Sequence, residues 1–393
     1  MKKQKNWTAI IFIFIIMAMI AVVENTKGIF VPAFKKQFGV DDNSISNMFI
    51  ISSAAYMLFS YIGGRLCEKI GQKKVYILGI LLNIVSLFLL SASKTFTMLL
   101  VGVGISSGGI ALIAISSNTI IPIIAVIAPA VIMNMMHFCF AIGSSVGQLV
   151  FGNLYAAGIG WRKIYFYVAI IYIILLFIFI VLKIPVVHIT EHKEEKKKNN
   201  YKIIFKRPLI IVYMFAIGFY CFAENGVASW FVNYITSGFN ISEGVAANYT
   251  AVFFAIFAIG RLFGGFVVKK FGYFNTIVTS LTSAGILLFI GIFLGKSGLA
   301  IISLSGLFFA ITFPTTILTI SKVFKGNGVY VTGLVVTANS FIIMILNKIM
   351  GILSDYIGAE KSFYMIPITI ILSAILMFIL YERTKDVLIN ENN

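Results

Sequence analysis

The sequence predicts an all-α membrane protein of twelve transmembrane helices in two six-helix halves. Three observations predict it. The 393 residues are 60% hydrophobic and only 11% charged, with a mean hydropathy of +0.99, whereas soluble domains carry about 25% charged residues. Apolar runs of about twenty residues, the length that crosses a bilayer, recur along the chain. The first half also repeats in the second at a nearly constant offset.

Taken in order, the first span (7–31) follows three amino-terminal lysines. It is too long for the apolar region of a signal peptide and no small-residue cleavage site follows it, so it reads as a retained helix. Lys35 and Lys36 separate it from span 2 (44–64), and the basic loop 65–74 separates that from span 3 (75–93). Lys94 precedes span 4 (97–126), span 5 covers 131–155, and Arg162 and Lys163 lead into span 6 (163–184). Beyond a polar stretch lie span 7 (208–236) and span 8 (244–268), which ends at Lys269 and Lys270. Span 9 (274–294) stops before Lys296, span 10 (298–321) before Lys322, span 11 (328–354) precedes Lys361, and span 12 (360–382) ends at Arg383.

The net charge of +17 follows the same pattern. With both termini cytoplasmic, 22 of the 31 Lys and Arg residues fall on inside segments, as the positive-inside rule requires. The charge is therefore topological, and nucleic acid is not expected as a partner. The bilayer is, and the expected location is the cytoplasmic membrane, with the chain acting as a monomer. Cys67, Cys139 and Cys221 are scattered singly and offer neither a disulfide framework nor metal spacing.

The polar stretch 185–207 divides the chain into an amino-terminal bundle (1–184) and a carboxy-terminal bundle (208–393). It is too short to be a catalytic domain, and His188 and His192, set among lysines and glutamates, read as a solvated strip. Any function lies in the membrane helices. Glu24-Asn25 recurs as Glu224-Asn225, and Gly64 and Gly71 recur as Gly265 and Gly272. Gly152 matches Gly351, and Lys163 with Tyr165-Phe166 matches Lys361 with Phe363-Tyr364. An even number of helices per half makes this a parallel repeat.

The loop Gly64-Arg65-Leu66-Cys67-Glu68-Lys69-Ile70-Gly71-Gln72-Lys73-Lys74 resembles the signature loop of the major facilitator superfamily, with Glu68 where the family usually has Asp. The resemblance implies a conformational lock formed by Gly64, Glu68, Lys69, Gly71 and Lys73, with Arg261 of span 8 its counterpart. Ser117-Asn118 with Pro122, Asn134-Met135-Met136-His137, Gly160-Trp161-Arg162, Tyr220 to Asn225 with Trp230 and Tyr234, and Gly260-Arg261 resemble the fucose-permease-like branch of sugar–cation symporters. The two acids of fucose permease fall here on Gly28 and Ala114. Fucose is thus a poor match as substrate, and the coupling site has to come from other residues.

An ionisable side chain within a span is costly and marks a functional candidate. Glu24 and Glu224 lie at matching depths, about 25 Å from the cytoplasmic helix ends at 1.5 Å per residue, and are the candidate coupling-ion residues together with His137. Lys27, one turn from Glu24, offers it a neutralising partner. On span 5, Asn134, His137, Ser144 and Gln148 share one face, while Gly143 and Gly147 form a small-residue packing face opposite. The expected solute-binding residues are Asn118, Asn134, His137 and Gln148 from the first half and Tyr220, Asn225, Trp230 and Asn339 from the second. Amides that both donate and accept suit a substrate dense in hydroxyls.

These residues point to a secondary transporter that moves a small polar solute, foremost a sugar, by alternating access driven by a proton or sodium gradient. No further cofactor or metal is expected, and the chain is not expected to be an enzyme. The alternative is a drug–proton antiporter, although Gly147 is followed by Gln148 where such proteins usually carry proline. A receptor using 185–207 as a signalling surface is the remaining reading.

Overall fold

The computed structural model describes residues 7–124, 129–182, 208–324 and 328–389. The termini and the whole central polar stretch 185–207, with His188 and His192, lie outside them. Among the described residues twelve helices are long and apolar enough to cross a membrane. They are Trp7–Ile29, Asp42–Ile70, Gln72–Ser91, Phe96–Ile121, Met135–Ala156, Trp161–Val181, Pro208–Phe239, Glu243–Phe271, Tyr273–Phe293, Gly295–Ile320, Val331–Ile357 and Ala359–Lys385, spans 1 to 12 in order. Large apolar side chains such as Phe177, Val181 and Phe293 stand outward on the bundles, the surface a hydrocarbon solvent requires.

Span 2 runs six residues past its expected end. Gly64 remains helical, and the chain turns only at Gly71, where φ is 86° and ψ is 151°. A side chain is strained in that region and glycine is not. The repeat reproduces this geometry: Gly272, which ends span 8, has φ 83° and ψ 166°. Each N–H closes the preceding helix, Gly71 onto the Cys67 carbonyl at 3.2 Å and Gly272 onto the Val268 carbonyl at 2.9 Å. Of the two glycines of the signature loop, Gly64 and Gly71, only the second makes the turn.

Span 10, expected as a single helix, is built from short pieces. A 3-10 turn (Gly295–Gly298) leads to helices Leu299–Leu304, Gly306–Phe309 and Thr312–Val323. Ser303 and Ser305 bond their hydroxyls back to the Leu299 and Ile302 carbonyls, a habit that bends helices, and Pro314 has no N–H to give the ladder. A further short helix, Val31–Phe38, follows span 1 and is ended by Gly39 at φ 63°.

The chain forms two compact units. One holds spans 1 to 6 with Ser242–Ala251 at the start of span 8, and the other holds span 7 onward apart from that stretch. In the first unit Asn153 donates to Asn248 at 2.8 Å, Ser145 donates to the Ala251 carbonyl at 2.8 Å, and Gly152 leaves no room for a β-carbon beside Ala247. Trp161 packs edge-on to Phe34 at 5.1 Å and Arg162 donates twice to the Ser93 carbonyl, at 2.9 and 2.7 Å. These contacts give the Gly160-Trp161-Arg162 motif a packing role at one end of the bundle.

The small-residue face of span 5 meets span 1. A β-carbon on Gly143 would collide with the Ala18 backbone, and one on Gly147 would stand 3.0 Å from the Val22 α-carbon. Between them Ser144 accepts from Asn25 at 3.0 Å. Close backbone approach of this kind is how helices associate where no hydrophobic force drives them together. Gly143→Val is therefore expected to cost on the order of 1–3 kcal/mol, the usual range for overpacking. Thermal unfolding of the detergent-purified protein measures this, and an unchanged midpoint would refute the packing role.

Candidate functional site

The second unit holds a group of polar side chains inside the spans, centred on Glu224. Glu224 sits half-buried on span 7, and Tyr220, one turn earlier and fully buried, lies with its hydroxyl against Glu224 Oε2. The same hydroxyl is 2.7 Å from the Phe309 carbonyl, at the end of a helical piece of span 10. Arg261 on span 8 is close enough for its positive charge to act on both Glu224 and Tyr220. Its guanidinium lies over the Phe257 ring at 4.5 Å, and its Nε, buried, has no hydrogen-bond partner. Cys221 belongs to the same group and lies beside Asn339 of span 11, whose buried Oδ1 has no hydrogen-bond partner.

This placement corrects the expectation for Arg261. Sequence reasoning set it with the cytoplasmic lock, yet it lies nine residues before Lys270, about 14 Å deeper along the helix at 1.5 Å per residue. That spacing was the available signal. Of the other lock residues, Glu68 and Lys69 are exposed, Gly64 has open space around it, and Gly71 makes the turn. Lys73 does hold helices together: its Nζ donates to the Ile180 and Leu182 carbonyls at 3.0 and 2.7 Å, capping the end of span 6. A cation there satisfies orphan carbonyls and the negative end of the helix dipole.

Glu24 occupies the matching position of the first unit in different company. Lys27, itself buried, donates to Glu24 Oε1 and to Ser52 Oγ at 2.6 Å, and Ser52 bonds Ser107 at 2.7 Å. The ion pair expected from spacing is present, extended into a chain that joins spans 1, 2 and 4. Glu24 Oε2 has no hydrogen-bond partner. The repeated Asn residues adopt one posture, Asn25 donating to the Ala21 carbonyl at 2.7 Å and Asn225 to the Cys221 carbonyl at 2.8 Å.

Gln148 is fully buried at 0% exposure, and neither its amide nitrogen nor its amide oxygen has a partner. Buried amides in that condition are rare and point to a site completed by something other than protein. Asn118 and Asn225 are exposed on their helices, and His137 is half-buried with a partner of its own. The side chain of Asn134 lies outside the described residues. Trp230, 1% exposed, donates to Asn347 at 2.9 Å, and Tyr234 stacks on Phe363 at 4.3 Å. Both aromatic residues are thus committed to packing.

A bundle of membrane-spanning helices whose two halves repeat, with an ionisable group held inside each, defines a secondary transporter. The comparisons agree. The chain belongs to the Major Facilitator Superfamily, whose profile matches residues 9–332. It is therefore a multi-pass membrane protein of a transporter family. It is 24% identical over 316 residues to the Protein TsgA homolog of Buchnera aphidicola, covering 79% of this chain and 78% of that one. It is also 24% identical over 389 residues to the glucose/galactose transporter of Brucella abortus, covering 92% of each chain. In fold it is similar to the crystal structure of a D-xylose-proton symporter, with a TM-score of 0.79 at 14% identity over 95% of this chain and 97% of the other.

Proposed function

We propose that the protein is a sugar–proton symporter of the cytoplasmic membrane, with both termini cytoplasmic, that imports a hexose by alternating access. The observation that carries the coupling is Glu224, a carboxyl group inside span 7 held by the Tyr220 hydroxyl and balanced by the charge of Arg261. A carboxylate and a guanidinium in this setting form a site whose charge changes by one when a proton binds. The proton is the coupling ion in this reading, in place of sodium, because the positive charge of Arg261 already acts on Glu224 and repels a second cation at the same carboxylate.

The sugar is supported by the buried amides of Gln148 and Asn339 with their unpartnered atoms, by the fucose-permease-like motifs, and by the relative named a glucose/galactose transporter. His137, Asn118 and Asn134 remain candidate solute contacts on spans 4 and 5. Glu24, engaged by Lys27, serves as a structural charge. The relatives do not favour drug efflux.

Thermal unfolding of the purified protein with single solutes tests the reading. A ligand at about 100 times its dissociation constant stabilises the folded state by about 2.7 kcal/mol. Glucose or galactose is expected to raise the midpoint without sodium, while amino acids and nucleosides leave it unchanged. A shift with nucleosides alone would overturn the sugar assignment, and one that requires sodium would overturn the proton assignment.

A further inference from the structure

Tyr220 is among the expected solute-binding residues, but it is fully buried and its hydroxyl faces two acceptors of its own protein. A phenol has one proton to donate and two lone pairs. It cannot serve the Glu224 carboxylate and the Phe309 carbonyl at once. We propose that Tyr220 is a positioning residue that relays the protonation state of Glu224 to the broken segment of span 10, a reading that rests on the coupling role of Glu224.

The two states follow from hydrogen-bond direction. When Glu224 is charged, the Tyr220 proton goes to Oε2, because a bond to a carboxylate is roughly twice as strong as a neutral one. The Phe309 carbonyl then loses its donor. When a proton arrives on Oε2, Glu224 becomes the donor to the Tyr220 oxygen, and the Tyr220 proton turns to the Phe309 carbonyl at 2.7 Å. The resulting chain, carboxyl to phenol to carbonyl, runs in one direction and is mutually reinforcing.

Phe309 is the last residue of the piece Gly306–Phe309, and the helix resumes at Thr312. Backbone polar groups at such a break depend on side-chain partners. A proton on span 7 thereby fastens span 10 at its weakest point, and loss of the proton releases it. Among the described residues the charged and titratable groups acting on this pair are Arg261 from span 8 and Cys221 from span 7 itself, while span 11 presents Asn339. Arg261 keeps its positive charge in both states, so the change of charge at the site comes from Glu224 alone.

Hydrogen–deuterium exchange of the 305–315 amides, corrected for intrinsic pH dependence, reads the relay without any transport assay. In the wild type these amides are expected to exchange about fivefold more slowly at acid than at alkaline pH, one neutral hydrogen bond being worth about 1 kcal/mol. Glu224→Gln presents a permanent donor to Tyr220 and should show slow exchange at both pH values. Tyr220→Phe should show fast exchange at both. A wild type without pH dependence, or a Tyr220→Phe protein that keeps it, overturns the proposal. If Tyr220→Phe does not fold, Glu224→Gln decides: exchange in that variant as fast as in the alkaline wild type overturns the relay. If Glu224→Gln still accumulates sugar, the coupling assignment falls instead, and the exchange data remain interpretable.

Discussion

In proteoliposomes with an acid exterior, Glu224→Gln is expected to reduce sugar accumulation to equilibrium while leaving sugar exchange intact. One pH unit across the membrane is worth about 1.4 kcal/mol per proton, or about tenfold accumulation with one proton per sugar. The wild type should approach that ratio, and the variant should level off with equal concentrations on both sides. The reason is local. Glutamine keeps a hydrogen-bonding group against the Tyr220 hydroxyl but cannot bind and release a proton, so the site with Arg261 no longer changes charge during a cycle. Exchange needs only the loaded carrier to move, and it separates loss of coupling from loss of fold. Uphill accumulation by the variant at the wild-type level would remove Glu224 from the mechanism.

The second large effect concerns the other acid. Lys27→Met is expected to destabilise the protein by about 3 kcal/mol, the lower end for breaking a buried ion pair, since the Glu24 side chain retains 34% of its exposure. The variant leaves a carboxylate without its counter-charge and also removes a donor to Ser52. In Glu24→Gln/Lys27→Met neither charge remains, and most of the lost stability should return. Thermal unfolding of the two variants in detergent measures both steps. A double variant as unstable as the single one would show that the ion pair is not what matters. The double variant should also retain proton-driven accumulation, because Glu224 and Arg261 are untouched in it.

Much of this architecture was legible beforehand because the bilayer imposes it on composition. A span needs about twenty apolar residues, so the twelve spans and most of their ends could be read directly. The contact between Lys27 and Glu24 followed from one-turn spacing, and a close-packing face at Gly143 and Gly147 from the size of their side chains, while span 1 as the helix packed there came from the structure. What stayed hidden depends on how helices are rotated against their neighbours. Trp230 and Asn347 are 117 residues apart, and nothing in either sequence neighbourhood says that they bond. The nearness of Arg261 to Glu224 was masked because a basic residue near a cytoplasmic loop already had a topological explanation. The breaks in span 10 were hidden by their apolar surroundings, since Ser303, Ser305 and Pro314 are each tolerated in an unbroken membrane helix.

Asn25 and Asn225 hold the same posture 200 residues apart, while the acids beside them keep different company, a lysine on one side and a tyrosine with an arginine on the other. Identical scaffolding with unlike neighbours lets the two copies of one repeat serve different ends. In the function proposed above, one copy supplies the proton site and its twin a structural charge. The two halves should therefore age differently under random mutation: replacements around Glu24 that conserve neutrality as a pair should be forgiven, whereas those around Glu224 should not.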